Sequence, residues 1–502
     1  MVIATPAPAE APPARTDGGE PVDAVVVGGG PNGLAAAITL ARAGQTVALL
    51  EGSESVGGGT RSAELTLPGF IHDVCSTTYP FGRTSPFLRE IEARETGLGL
   101  RWIDPPFSIG HPLDDGSAVV VERDVDATAR QLGPDADAYR RLMTPIVDHW
   151  DVLGPEILGP FHVPRSPRRA LLLAGFGLLA LQSATSLGRR FRTERARALL
   201  AGNAAHSLIG LTEPASGAGA LVMLASAHDD GWPLVEGGAR RIPEALAAEL
   251  ERLGGRIETR RPVTGLADLP AHRVALFDTS PRQLLAIAGD RLPARYRRAL
   301  ERFRYGPGVF KIDMALDGPI PWRAPELALA GTIHVGGTLE EIARSEFAVA
   351  RGRVPAAPFV LVAQQTLFDP SRAPAGGHTG WAYCHVPNGS TADMTEPILR
   401  QIERFAPGFR DRILSMSATS PRELETYNPN NVGGDIGAGR MDLAQLFTRP
   451  SYRLFDPYRT ANPDLFLCSA STPPGAGVHG MSGFHAARSA LRRLASLRDE
   501  PA

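Results

Sequence analysis

The chain has 502 residues, a formal net charge of −2, 43% hydrophobic residues and 21% charged ones. Those are the proportions of an ordinary globular protein of two or three domains. The near-neutral balance, without runs of basic residues interleaved with aromatics, gives no reason to expect a nucleic-acid partner.

Residues 1–20 are rich in Pro and Ala and lack a basic segment followed by an apolar core. A disordered tail is expected there, not a signal peptide. The next stretch organises the rest. Asp23 to Val27 is a short β-branched run that leads into Gly28-Gly-Gly30-Pro31-Asn32-Gly33. Leu34 to Ala43 then places apolar residues at helical spacing, Gly44 can end the helix, and Thr46 to Leu50 reads as a second strand closed by Glu51. This is a βαβ unit with GxGxxG in its first turn. Gly28 permits the tight turn, Gly30 lets backbone approach a pyrophosphate, and Gly33 lets helix pack on strand. The free N–H groups and positive end of the helix meet the phosphates. Glu51, 18 residues after Gly33, stands where an acid accepts from ribose hydroxyls. It would repel a 2′-phosphate.

A second glycine cluster, Gly57-Gly58-Gly59-Thr60, comes next. Ala63 to Leu67 reads as a strand, Phe87 to Thr96 as a helix, and Trp102 to Glu122 as short strands joined at Asp114-Asp115-Gly116. Residues 124–230 read as mostly helical. Within them Ala170 to Leu181 is an almost unbroken apolar run, bracketed by Arg165, Arg168, Arg169 and by Arg189, Arg190, Arg192. It is shorter than the ~18 apolar residues of a membrane span. The plain expectation is a core helix with solvated ends. The sharper one is a peripheral membrane contact, or the lip of a tunnel for an apolar substrate.

Ile242 to Leu253 is an amphipathic helix, and Arg256–Thr259 and Val274–Phe277 return to strands. Residues 306–390 read as β-rich, over 309–316, 329–335, 359–365 and 379–385, the pattern of an inserted sheet domain. A helix is expected from Thr395 to Phe405. Near the end, Asp464 to Cys468 is a buried strand, Ser469 to Gly480 a Gly/Pro-rich turn and Met481 to Leu497 a helix. The whole is α/β. Cys75, Cys384 and Cys468 are far apart and form no CxxC, so neither a dithiol nor a thiolate metal site is expected and the context is a reducing cytoplasm.

Taken together, these blocks make the chain resemble the phytoene-desaturase-like FAD-dependent oxidoreductases. It is most similar to their phytoene dehydrogenase-related, pyridine nucleotide-disulfide oxidoreductase domain-containing branch. The resemblance is carried by DAVVVGGGPNGLAAAITLARAG, PGFIHDVCS, GWPLVEGGARRI, VFKIDMAL, DPSRAPAGG, NPNNVGGDIGAG and ASTPPGAGVHGMSGFHAA. It implies a glutathione-reductase-like (Rossmann-type) FAD domain from residues 21–100, 233–305 and 425–498, with an α+β substrate domain from 101–232 and 306–424. Carried over, Gly28, Gly30, Pro31, Asn32 and Gly33 hold the FAD pyrophosphate and Glu51 the ribose. Gly57, Gly58 and Thr60 pass near the phosphates and ribityl chain, and Val263 meets adenine. Ala470 and Ser471 lie beside the phosphates and ribityl chain, and Gly480 and Met481 beside the flavin pyrimidine. Two departures stand out. Gly59 replaces the usual Arg, and Ser469 and Pro473 replace Gly and His, so a carotenoid substrate is not implied.

The expected chemistry is hydride transfer from an apolar substrate to flavin N5. Isomerisation or saturation of a polyene, amine oxidation, and a flavin-binding regulatory role are the alternatives. Oxygen, a quinone or another carrier would accept the electrons, and a stable NAD(P) site is not expected. Lys311, a lone cation in the strand Val309-Phe-Lys-Ile-Asp-Met314, either holds a water at N5 or faces solvent on an edge strand. His206, His228, His385 and His479 are the candidate bases.

Overall fold

A computed structural model describes residues 20–93, 97–164 and 166–499. The expected tail over 1–19, the end of the helix expected to reach Thr96, and Arg165 lie outside the described residues. Twelve strands build two large sheets. They are β1 (Val22–Val27), β2 (Val47–Leu50), β3 (Phe107–Pro112), β4 (Ala118–Val121), β5 (Arg256–Glu258) and β6 (His272–Phe277). In the second half come β7 (Gly308–Leu316), β8 (Ala330–Val335), β9 (Val360–Ala363), β10 (His378–Val386), β11 (Ile413–Thr419) and β12 (Leu465–Leu467). Among the helices are α1 (Pro31–Arg42), α2 (Pro167–Ala180), α3 (Ser216–Asp229), α4 (Arg241–Arg252), α5 (Thr395–Phe405) and α6 (Met481–Asp499).

The first sheet is parallel, in the order β12-β6-β1-β2-β5. Its strands are apolar on both faces because both faces are covered. Ala24, Val26, Leu49, Val274 and Leu276 join the core under α1, while Val25, Val27, Leu50, Ala275 and Phe277 pack against Leu284, Tyr296 and Leu300 on the other side. Every strand of a parallel sheet ends at the same edge. Gly28, Glu51, Asp278 and Ser469, which come after β1, β2, β6 and β12, therefore gather there.

The second sheet has the order β11-β7-β10-β9-β8-β3-β4, antiparallel except where β8 runs alongside β3. One face, with Phe310, Ile312, Met314, Val362 and Cys384, packs on α5. The other, with Val309, Leu361, Trp381 and Tyr383, joins the main core. The short strands expected from Trp102 to Glu122 include Phe107–Pro112 and Ala118–Val121, which complete this sheet, and β11 has no counterpart in the expected strands.

Helix α1 packs between α6 and α4. A Cβ on Gly483 would lie 1.8 Å from the Asn32 carbonyl oxygen, so α6 crosses the start of α1 at backbone distance.

The apolar run over 170–181 is not a core helix. Leu171 is 75% exposed and Leu178 72%, and Ala180 alone in α2 is buried. Its composition is that of a core, but among the described residues nothing is packed over the outer face that Leu171 and Leu178 occupy. No helix among the described residues is long and apolar enough to cross a membrane. The strand expected over 63–67 is confined to Ser62–Glu64, and the helix expected from Phe87 runs Pro86–Glu92.

Candidate cofactor site and active-site cavity

A cavity of about 1070 Å³ opens at the carboxyl edge of the parallel sheet and reaches the aromatic face of the second sheet. Its first half is built by the βαβ turn. Gly28 has φ +101°, and its Cβ would sit 2.8 Å from the Asp278 carbonyl oxygen. A Cβ on Gly33 would meet the Gly28 carbonyl oxygen at 2.0 Å. These are the tight turn and the close helix–strand contact that the motif demands. Gly30 caps α1 and Pro31 occupies its first turn, with no side-chain cap. No side chain of α1 caps these N–H groups; those of Gly30 and Gly33 both reach the Asp278 carboxylate, Gly33 donating to Oδ2 at 2.9 Å.

Glu51 lines the same half. Its carboxylate accepts from Gly29 N at 2.7 Å and from Ser53 N at 2.8 Å, with Arg61 Nη2 at 3.3 Å. These bonds fix its orientation toward the cavity. Gly30, Pro31, Asn32, Gly58, Thr60, Val263, Ala470 and Ser471 also line the wall. Gly33, Gly57, Gly480 and Met481 do not. Gly57 stands behind, at φ +132°, donating to the Gly29 carbonyl. Gly480 packs on Phe87 and Ala35, and the Met481 N–H donates to His479 Nδ1 at 3.0 Å. The first N–H of α6 is therefore taken by His479.

Three buried polar atoms on this wall have no partner among the described residues: Asn32 Oδ1, Thr279 Oγ1 and His479 Nε2. Unpaired buried polar atoms are costly. Together with the uncapped helix start and the glycine turn, they fit a polar dinucleotide such as FAD. Arg449, buried and missed in the sequence, ties the rear of this wall together. It donates to the carbonyls of Gly437 at 3.0 Å, Ala438 at 2.8 Å and Ala470 at 2.9 Å.

The second half is apolar. Val222, Met223, Trp232, Leu361, Trp381 and Tyr383 line it, and Phe176 and Ala180 of α2 stand at its far side. The Trp381 and Tyr383 rings meet edge to face at 5.0 Å. They sit two residues apart on one strand, so the pleat turns both toward the cavity. Among its polar groups are Thr78, Thr332 and His206. His206 Nε2 is 2.9 Å from His334 Nε2, and its ring stands edge-on to Trp232. Burial, with the nearby His385 adding to it, pushes His206 down to about 3, so it is a neutral hydrogen-bonding group.

Of the other candidate bases, His479 lines the cavity, and burial holds it at about 4. His228 does not reach the wall; Tyr139 Oη at 2.7 Å and the Arg123 carbonyl at 3.1 Å hold its ring. His385 is likewise inside the protein, paired with Glu346 at 2.8 Å. Neither can abstract a proton from a substrate in this cavity. Lys311 is not on an edge strand, because β7 lies between β11 and β10. It is 3% exposed, ion-paired with Asp313, and stands 5.9 Å from the Trp381 ring centroid, and it is not among the residues lining the cavity. Among the described residues no His/Cys/Asp/Glu group could hold a metal ion, and the three cysteines are free.

Residues 26–91 match the NAD(P)-binding Rossmann-like domain. Over 95% of its length the chain is 26% identical to pyridine nucleotide-disulfide oxidoreductase domain-containing protein 2 of Rattus norvegicus, covering 94% of that protein. It is 27% identical to hydroxyneurosporene desaturase of Cereibacter sphaeroides, over 94% of this chain and 98% of that one. A solved structure of a putrescine oxidase variant superposes with a TM-score of 0.59 at 18% identity, over 95% of this chain and 99% of the other. The likeness to phytoene-desaturase-like oxidoreductases thus extends over nearly the whole chain, and the fold is the Rossmann-type α/β fold with a separate sheet.

Proposed function

We propose that the chain is an FAD-dependent oxidoreductase that dehydrogenates a largely apolar small molecule. One observation carries this reading: the glycine cradle and the apolar aromatic chamber belong to a single cavity. A pocket of this kind, apolar with a few converging polar groups, is the usual form of a small-molecule site.

Bound there, FAD would supply the redox chemistry by accepting a hydride at N5. The residues of the chain do the rest. The N–H groups at the start of α1 bind the pyrophosphate, and Glu51, already oriented by Gly29 and Ser53, accepts from the ribose. Trp232, Leu361, Trp381 and Tyr383 exclude water and orient the substrate. His206 and Thr332 offer it hydrogen bonds. Oxygen, a quinone or another carrier would take up the electrons.

Amine oxidation is the rival suggested by the structural likeness to putrescine oxidase. The aromatic pair Trp381–Tyr383 could face an ammonium group. However, among the described residues the only acids on the cavity wall are Glu51 and Asp278, both in the cofactor half. An ammonium substrate in the apolar half would have no counter-ion, and the Lys311 ammonium already stands 5.9 Å from the Trp381 ring. These facts favour a neutral substrate.

The exposed face of α2 belongs to the same proposal. It leads to the chamber through Phe176 and Ala180, with arginines at both ends, as befits a lip resting on a membrane surface from which an apolar substrate enters. The test of the enzymatic reading is anaerobic mixing of the FAD-loaded protein with phytoene in one arm and putrescine in the other. Loss of the oxidised flavin band with phytoene alone, restored by a quinone, supports the proposal. Bleaching by putrescine alone replaces it with amine oxidation, and no bleaching by any apolar or amine substrate removes it.

A further inference from the structure

The position at the start of α1 that should receive a phosphate oxygen already faces a carboxylate of the chain itself. Asp278 comes directly after β6, lies partly buried on the cavity wall, and accepts the Gly33 N–H at 2.9 Å through Oδ2. The same oxygen would lie 2.6 Å from a Cβ on Gly30, the glycine whose bareness admits the pyrophosphate. A dinucleotide seated by this motif must therefore come close to the Asp278 carboxyl.

The groups packed around Asp278 offer it little help as an anion. Glu51, after β2, repels it. Cys468, after β12, is a buried thiol that Asp278 itself pushes further up. Asn430 donates to the Asp278 backbone carbonyl, at 3.2 Å, and not to its carboxylate. From α1 it receives the Gly33 and Gly30 N–H groups. Among the described residues no arginine, lysine or histidine pairs with it. A pyrophosphate would add negative charge to this enclosed place, where repulsion is poorly screened. A neutral carboxyl removes the conflict: its carbonyl oxygen keeps the Gly33 N–H, and its O–H can donate to a phosphate oxygen.

Resting on the FAD reading above, we propose that Asp278 is a cofactor-binding residue that meets the pyrophosphate as the neutral acid, so that FAD uptake above neutral pH carries one proton into the protein. Burial, with Glu51 adding to it, lifts Asp278 to about 7, so the neutral form is within reach near neutral pH. With no cofactor bound, the proton is shared between two states; with it bound, the neutral state is selected.

The experiment is FAD titration of the flavin-free protein between pH 6 and 9, read by quenching of flavin fluorescence, for the unaltered chain and for Asp278→Asn. The amide keeps both an acceptor for Gly33 and a donor for the phosphate, but cannot ionise. In the unaltered chain Kd should rise above pH 7 by up to about tenfold per pH unit, as uptake of one proton requires. Asp278→Asn should bind independently of pH and, at pH 9, up to about 100-fold more tightly than the unaltered chain. Calorimetry of the unaltered chain at pH 8 in two buffers of different ionisation enthalpy counts the proton directly, even if the variant fails to fold. A flat pH profile with no proton taken up, or the same slope in both proteins, overturns the inference alone. Failure of the unaltered chain to bind FAD at any pH overturns the cofactor reading, and this inference with it.

Discussion

Lys311 and Asp313 form an ion pair inside the second sheet, on the face that Trp381 and Tyr383 share. The register sets Lys311 opposite Tyr383 and Asp313 opposite Trp381, and both charged side chains are buried. His72 Nδ1 lies 3.7 Å from Asp313 and stays neutral, since burial and the Lys311 charge lower it to about 3. Deleting one member of such a pair leaves a lone buried charge and costs about 3–5 kcal/mol. Lys311→Met should therefore lower the thermal midpoint sharply, and Lys311→Met with Asp313→Leu should recover most of the loss. Differential scanning calorimetry of the two variants is the check. A single variant as stable as the parent would show that the pair contributes nothing. Because Lys311 does not line the cavity, a rate effect counts as catalytic only if it persists in the stabilised double variant.

Gly30 and Gly33 separate cofactor binding from folding. At Gly30, φ is −71° and the obstacle to a Cβ is the movable end of Asp278. At Gly33 the obstacle is the backbone oxygen of Gly28. Gly30→Val should yield a folded, colourless protein, while Gly33→Val should fail to accumulate. The ratio of flavin to protein absorbance after purification, with circular dichroism, reads both. A yellow Gly30→Val protein would remove the motif from the cofactor assignment.

What was legible in the sequence was local. Strand, glycine turn, helix and acid over 23–51 succeed one another in the chain, so spacing alone reports them. The aromatic wall was not, although Trp381 and Tyr383 stand two apart on a strand. Which face of that strand looks at the cofactor depends on strand order, and β11, at the sheet edge, had no recognised signal. Asp278 pairs with Gly33 across 245 residues. Its signal was an acid placed directly after a second buried strand, Val274 to Phe277, in the manner of Glu51 after β2. His228 and His385 misled because a histidine's own letters do not show the Tyr139 and Glu346 that hold them. Helix α2 misled for the opposite reason: apolar composition does not by itself place a helix inside.

Acidification should destabilise the protein well above the usual carboxylate range. Burial lowers His72 and His206 to about 3 and His111, His479 and His485 to about 4, from an ordinary value of 6.5. The unfolded chain protonates these rings below pH 6.5 while the folded one does not. Their contribution is therefore complete above pH 6.5 and falls, by about 1.4 kcal/mol per pH unit for each ring, as the pH drops toward 3–4. Asp278 and Asp313, raised to about 7 and about 6, act in the opposite sense, since the folded state takes up their protons first. The histidines outnumber them. Urea midpoints should thus be lower at pH 5 than at pH 7.5. A midpoint that rises on acidification would mean that the rings are not neutral in the folded state.

Leu171 and Leu178, on the outer face of α2, make no core, so replacing both with Glu should leave the thermal midpoint nearly unchanged, as for other exposed substitutions. If the helix rests on a membrane, two carboxylates there oppose insertion of its apolar face, and they also repel an anionic surface. Co-sedimentation with vesicles of phosphatidylcholine and phosphatidylglycerol should capture the unaltered chain and lose the Leu171→Glu/Leu178→Glu variant. Arg168 and Arg169 stand in the first turn of α2, and Arg189 and Arg190 follow it, so capture should also weaken as salt rises from about 0.05 to about 0.5 M, by screening over about one Debye length. Binding that survives both the substitution and the salt would place the contact elsewhere, and a chain that never sediments would leave α2 as the lip of the cavity alone.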